Sequence, residues 1–141
     1  MKLRVKTLYR DAGLPKYATT GSAGLDLCAM NMAVIDPWST ALIHTGLSVE
    51  IPDGYYGALY VRSSVARTGL VLTTGTSVID SDYRGEVLIE LRNVSKSIHI
   101  VNPGDRIAQL VFQPYERVEV VEADELNDTD RGSGGFGSTG S

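Results

Sequence analysis

A chain of 141 residues has the size of one compact domain, and 43% hydrophobic with 21% charged residues is a globular balance that excludes a fully disordered polymer. Thirteen Lys and Arg against 17 Asp and Glu give a net charge of −4, the wrong sign for a protein held on a phosphate backbone by its overall field, so no nucleic acid partner is expected. Cys28 is the sole cysteine, which excludes an intrachain disulfide and a cysteine-built metal cage; with no signal core in residues 1–6 and no apolar run of membrane-spanning length, the expectation is a soluble, cytoplasmic protein with no membrane partner.

Period-two alternation dominates the chain. It is clearest over residues 86–93, where Val87, Ile89 and Leu91 share one face and Glu86, Leu88, Glu90 and Arg92 the other. Similar segments at 3–8, 41–44, 47–51, 55–61, 98–101, 107–112 and 118–121 also predict strands, with turn signals at Ile51-Pro52-Asp53-Gly54, Asn102-Pro103-Gly104-Asp105 and Gln113-Pro114-Tyr115. Many short strands so spaced predict an all-β fold: an antiparallel sandwich, barrel or jelly roll. One helical turn is expected at residues 64–67, opened by Ser63 as a hydroxyl cap. After Val121 the chain becomes acidic and then Gly-rich, with five of its 15 glycines in residues 131–141. The expected organisation is a body over 1–121 and a C-terminal arm over 122–141.

Five stretches carry side chains suited to chemistry. Asp26 and Gln109 are polar residues in mainly apolar strands, and each alone reads more often as a satisfied strand-edge group than as a ligand contact. Arg62-Ser63-Ser64 sets a guanidinium and two hydroxyls beside each other, a seat for phosphate oxygens. Residues 78–86 (Val-Ile-Asp-Ser-Asp-Tyr-Arg-Gly-Glu) bring two carboxylates, an aromatic and a glycine turn to a strand end. An EF-hand is excluded there, because Arg84 and Leu91 occupy its fifth and twelfth positions. The alternatives are a solvated polar turn, or a site in which Asp80 deprotonates a water while Tyr83 packs on a sugar. The tail from Arg131 to Ser141 nearly spells a P-loop, but Ser138 stands at the lysine position. It is either a plain Gly/Ser tail or an anion grip in which Arg131, Ser138, Thr139 and glycine N–H groups hold phosphate and Phe136 covers a flat ring. His44 and His99 lack metal-ligand spacing.

Taken in order, these five stretches resemble the motifs of the homotrimeric deoxyuridine triphosphate nucleotidohydrolases, the dUTPases. Residues 23–29, 62–66, 78–86, 104–110 and 131–140 match motifs one to five, so the likeness spans nearly the whole chain. It implies a jelly-roll β-barrel, a homotrimer with shared active sites, and Mg²⁺-dependent hydrolysis of dUTP to dUMP and pyrophosphate by water attack on the α-phosphorus. By the same resemblance Asp80 activates the water and Tyr83 packs beneath the deoxyribose. Thr74, Val78, Ile79 and Leu88 surround uracil. Arg62, Ser63, Ser64 and Gln109 hold the phosphates, and Asp26 orders water around a Mg²⁺ carried mainly by the triphosphate. Arg131, Gly137, Ser138 and Thr139 grip the γ-phosphate under Phe136.

Two positions depart from the family pattern: Thr74 stands where Asn usually contacts uracil, and Ser77 stands where Gly usually precedes the Val-Ile-Asp run. Threonine offers a hydroxyl but no amide, which shifts recognition toward backbone groups. Residues 62–70 also resemble the second motif of dCTP deaminases, and Glu90 falls where those enzymes keep a catalytic Glu. A dCTP deaminase, or a bifunctional deaminase and diphosphatase, is therefore the alternative, against which Glu90 reads as a polar residue on a half-buried strand. A nucleotide-sensing or protein-binding module on the same trimer is a third reading.

Overall fold

The computed structural model describes residues 1–135. Its elements are β1 (Arg4–Thr7), β2 (Lys16–Tyr17), β3 (Leu25–Cys28), β4 (Ala33–Ile35), β5 (Thr40–His44), β6 (Leu47–Glu50), β7 (Tyr55–Val61), α1 (Ser63–Ala66), β8 (Leu70–Leu72), β9 (Ser77–Ile79), β10 (Leu88–Asn93), β11 (His99–Val101) and β12 (Arg106–Pro114). Among the described residues the protein is thus mostly β with one short helix. All paired strands are antiparallel, in the groups β1-β6, β5-β10-β8, β11-β4 and β2-β3-β12-β7-β9. Open edges remain in these sheets. No helix among the described residues is long and apolar enough to cross a membrane.

The alternation read from the sequence fills one core. Ile89 and Leu91 of β10 point inward with Leu27, Ile43, Leu59 and Leu110, each at most 1% exposed. Between them on β10, Glu90 and Arg92 face outward, as period two requires. Asn93 ends the strand fully buried. Its amide donates to the Ile35 and Ser97 carbonyls at 3.0 and 2.7 Å and its oxygen accepts from Ser95 N–H at 2.9 Å, so no buried polar group is orphaned there.

Two expectations fail. Residues 118–121 form no strand, and Val118, Val120 and Val121 are 79%, 90% and 74% exposed. Alternation supplies an apolar face, but a strand also needs a partner edge, and the chain offers this segment none among the described residues. The helical turn begins at Ser63 itself with Arg62 as the cap residue, and no side-chain hydrogen bond caps it. Short strands at 16–17, 33–35, 70–72 and 77–79 are present that alternation did not mark, because runs of two or three residues are too brief to carry a period.

Candidate active site

Motifs one, two and four meet on one outer face. In β12, Gln109 stands opposite Asp26 of β3 on one side and Tyr60 of β7 on the other, so the three side chains share a face. Arg62 leaves the end of β7 with that parity. Its Nε lies 3.2 Å from Asp26 Oδ1, while Arg106 NH1 lies 3.2 Å from Oδ2. The Asp26 side chain is only 11% exposed, and the two guanidiniums offset the cost of burying it. Gly24 makes room for the array, since a Cβ there would sit 2.5 Å from Gln109 Oε1 and 2.9 Å from its Cβ. Beside it, Arg62, Ser64, Gly104 and Arg106 line a cleft of about 450 Å³.

Arg106 is the member of this array that the sequence did not disclose. Strict alternation back from Leu110 and Ala108 would put it on the core face. A bulge between Arg106 and Ala108 inserts one extra residue, leaving both Ile107 and Ala108 buried and turning Arg106 outward to Asp26. Cys28, opposite Arg106, lies under the same cluster. Burial pushes its thiol above the ordinary value and the Asp26 carboxylate adds to this, while the Arg106 and Arg62 guanidiniums oppose it.

The third motif builds a separate cleft. Ser77, Val78, Ile79, Asp80, Tyr83 and Leu88 line about 210 Å³ between β9 and the start of β10. The exposed Asp80 also borders a larger hollow of about 540 Å³ with Tyr56, Asp82, Tyr115 and Arg117. A tight turn shapes this region: Tyr83 N–H donates to the Asp80 carbonyl at 3.2 Å, and Tyr83 Oη donates to the Glu86 carbonyl at 3.0 Å. The Tyr83 ring lies so close over Gly85 that any Cβ there would collide with it.

β9 is an edge strand, paired with β7 on one side, while the preceding β8 belongs to the sheet of β10. The connection between β8 and β9 therefore stays open rather than zipping into a hairpin, and one row of β9 backbone groups has no ladder partner. At its tip the two residues that depart from the family pattern meet, with Thr74 Oγ1 2.7 Å from Ser77 Oγ. Thr74 does not line the cleft beside Leu88. Glu90 does not line it either; Thr73 Oγ1 donates to its carboxylate.

Within one chain the two clefts are far apart. Ile79 stands opposite Gly57, five residues before Arg62 along β7. At roughly 3.3 Å per residue this puts Asp80 about 20 Å from the Arg62 end of the strand. Of the fifth motif, Arg131 donates from Nε to the Gly134 carbonyl at 2.9 Å within an exposed turn. Phe136, Gly137, Ser138 and Thr139 lie outside the described residues.

A family model for dUTPase matches residues 10–140. The chain is 48% identical over 142 residues to a deoxyuridine 5'-triphosphate nucleotidohydrolase of Hydrogenobaculum sp. (strain Y04AAS1), with 99% of each covered. It is 43% identical to the protein of that name from Anaplasma marginale (strain St. Maries), covering 98% of this chain and 99% of the relative. Among solved structures it matches the Staphylococcus bacteriophage 80alpha dUTPase with dUPNHPP at a TM-score of 0.88 and 31% identity, over 99% of both chains. It also matches a dUTPase mutant from phage phi11 of S. aureus, whose structure concerns the coordination of a structural Mg(II) ion, at a TM-score of 0.84 and 27% identity, covering 91% of this chain and 100% of that one. With the family model matching residues 10–140 and relatives matched over nearly their full length, the chain belongs to the dUTPase family.

Proposed function

We propose that the protein is a dUTP diphosphatase that hydrolyses dUTP to dUMP and pyrophosphate, limiting uracil in DNA and supplying dUMP for dTMP synthesis. The observation that carries this reading is the cleft between β9 and β10, where Asp80, Tyr83, Val78, Ile79 and Leu88 converge in a chain of this family. Uracil fits the open β8–β9 connection, where unpaired β9 backbone groups can meet its donor and acceptor edge. Tyr83, fixed by its bond to the Glu86 carbonyl, gives the deoxyribose a flat floor that a ribose 2′-OH would foul. Asp80 takes a proton from the water that attacks the α-phosphorus. Arg62, held through Nε by Asp26, keeps its terminal nitrogens for phosphate oxygens, with the Ser63 and Ser64 hydroxyls and Gln109 beside it.

Among the described residues no three His, Cys, Asp or Glu side chains gather as metal ligands. A protein-only cage therefore does not fit Mg²⁺, whereas an ion carried by the triphosphate does. Mg²⁺ dehydrates reluctantly, and the Asp26 oxygens retain lone pairs for an ordered water. Bound there, it would neutralise phosphate charge; the protein's part is positioning.

The same reading makes the working enzyme a homotrimer of jelly-roll barrels, each with a body over 1–121 and an arm over 122–141. The separation of about 20 Å along β7 supports it, because Asp80 and Arg62 serve one α-phosphate only if they come from different copies. The exposed Val118, Val120 and Val121 at the end of the body lead into the arm and suit docking on a neighbour, so that Arg131, Phe136, Gly137, Ser138 and Thr139 close another chain's site. Cytoplasmic placement accords with the single free Cys28. Deamination of dCTP is not favoured, since Glu90 stands outside the cleft and is engaged by Thr73.

Incubating the pure protein with Mg²⁺ and dUTP, dCTP, dTTP or UTP, and resolving pyrophosphate and ammonia, tests the assignment. Pyrophosphate from dUTP alone is expected. Ammonia from dCTP would favour the deaminase, and dUTP left intact would contradict the proposal.

A further inference from the structure

The turn that carries Asp80 and Tyr83 spans residues 80–87 between β9 and β10 and belongs to no strand ladder. Side chains fasten it to the bend between β5 and β6 instead. Ser48 Oγ donates to the Arg84 carbonyl at 2.7 Å, Thr45 Oγ1 donates to the Val87 carbonyl at 2.6 Å, and Val87 N–H donates to the Leu47 carbonyl at 2.8 Å. The one charged fastener is Glu86. Its side chain is 13% exposed and both oxygens are occupied: Oε1 accepts the Gly46 N–H at 2.7 Å, and Oε2 lies 2.9 Å from His44 Nδ1. His44 is itself placed by its backbone N–H, which donates to Asn31 Oδ1 at 2.9 Å. The main-chain carbonyl of the same Glu86 receives the Tyr83 hydroxyl.

We propose that Glu86 is a positioning residue of the reaction: its carboxylate, clamped between Gly46 N–H and His44, fixes the carbonyl that holds Tyr83 and so the turn that presents Asp80. The proposal rests on the dUTPase reading for its kinetic consequence, and on the geometry alone for its structural one. Glu86 borders the cleft, but both of its carboxylate oxygens are already engaged by Gly46 N–H and His44, so it acts through Tyr83 and Asp80 rather than on the nucleotide. Glu86→Ala removes both clamps and frees the turn, and misplacement by about 1 Å costs roughly 100-fold in rate. The loss falls on kcat more than on KM, because Arg62, Ser63, Ser64 and Gln109, which grip the phosphates, are untouched. Glu86→Gln keeps an acceptor for Gly46 N–H and an amide group for His44 Nδ1 in its other neutral tautomer, and restores most of the rate.

The test combines kinetics with amide hydrogen exchange on the intact protein without nucleotide. In Glu86→Ala the 80–87 segment is expected to exchange at least about tenfold faster while β10 keeps its protection, with kcat down by roughly 100-fold. In a Tyr83→Ala background the same substitution is expected to cost only a few-fold, since the two act as one unit. Should Glu86→Ala fail to fold, His44→Ala, which leaves the Gly46 bond, must show the same exchange pattern with a kcat loss of several-fold. Unchanged exchange at 80–87 in the folded variant overturns the proposal, as does an undiminished loss in the Tyr83→Ala background. Wild-type protein that exchanges as described but leaves dUTP intact would contradict the functional reading and not this one.

Discussion

Asp26 holds two guanidinium groups at once, Arg62 and Arg106, and removing it leaves two cations facing each other. Asp26→Ala is therefore expected to cost about 1–3 kcal/mol in chemical denaturation and to raise KM for dUTP as Arg62 loses its orientation. Asp80 makes a cleaner case, because it is exposed and supports no packing. Asp80→Asn should lower kcat by roughly 10²–10⁴-fold, measured by pyrophosphate release, with the melting temperature unchanged. Cys28 yields a prediction about pH. Its folded pKa is raised, so an unfolded chain deprotonates first as pH rises, and the folded state then binds more protons. The stability this thiol contributes is present below its unfolded pKa and is lost as pH climbs through the folded one. Cys28→Ala should accordingly flatten the alkaline decline of the melting temperature; an identical slope in both proteins would contradict the burial argument. At this scale Asp26 and Gln109 stood out in the sequence, since a polar side chain in an apolar strand breaks the pattern around it, and Arg62 stood out beside the Ser63 and Ser64 hydroxyls. Arg106 was not, because a bulge reverses its face and alternation carries no mark of a bulge.

Strand β10 joins the core to the site. Its inner residues Ile89 and Leu91 are fully buried, and its first residue, Leu88, borders the cleft with Asp80 and Tyr83. Ile89→Ala should destabilise the fold by about 2–5 kcal/mol in a denaturant titration, a cost set by the cavity left among Ile43, Leu27 and their neighbours. Long elements such as β7, β10 and β12 could be read from period two because each has one face in the core. The segment 118–121 alternates just as well and stays irregular, since pairing requires a partner edge that the local sequence does not encode. The same limit hides the tie between Thr74 and Ser77. Two departures from the family motif that look independent along the chain form one hydrogen-bonded pair at the tip of the connection between β8 and β9.

At the scale of the whole molecule, the 20 Å or so between Asp80 and the Arg62 end of β7 makes a strong demand. If each site draws on different copies, mixing inactive Asp80→Asn chains with inactive Arg62→Ala chains, followed by unfolding and reassembly, should restore part of the activity. Mixtures that stay inactive would place the whole site within one chain. Deleting 131–141 should abolish turnover and leave the number of chains in the assembly unchanged, as expected of an arm that closes a site without building the body. In the proposed reaction, water activated by Asp80 attacks the α-phosphorus. Turnover of dUTP in heavy-oxygen water, with products resolved by mass spectrometry, tests it most directly. One solvent oxygen in dUMP and none in pyrophosphate is the expected result; solvent oxygen in pyrophosphate would place the attack on the β-phosphorus and contradict the mechanism.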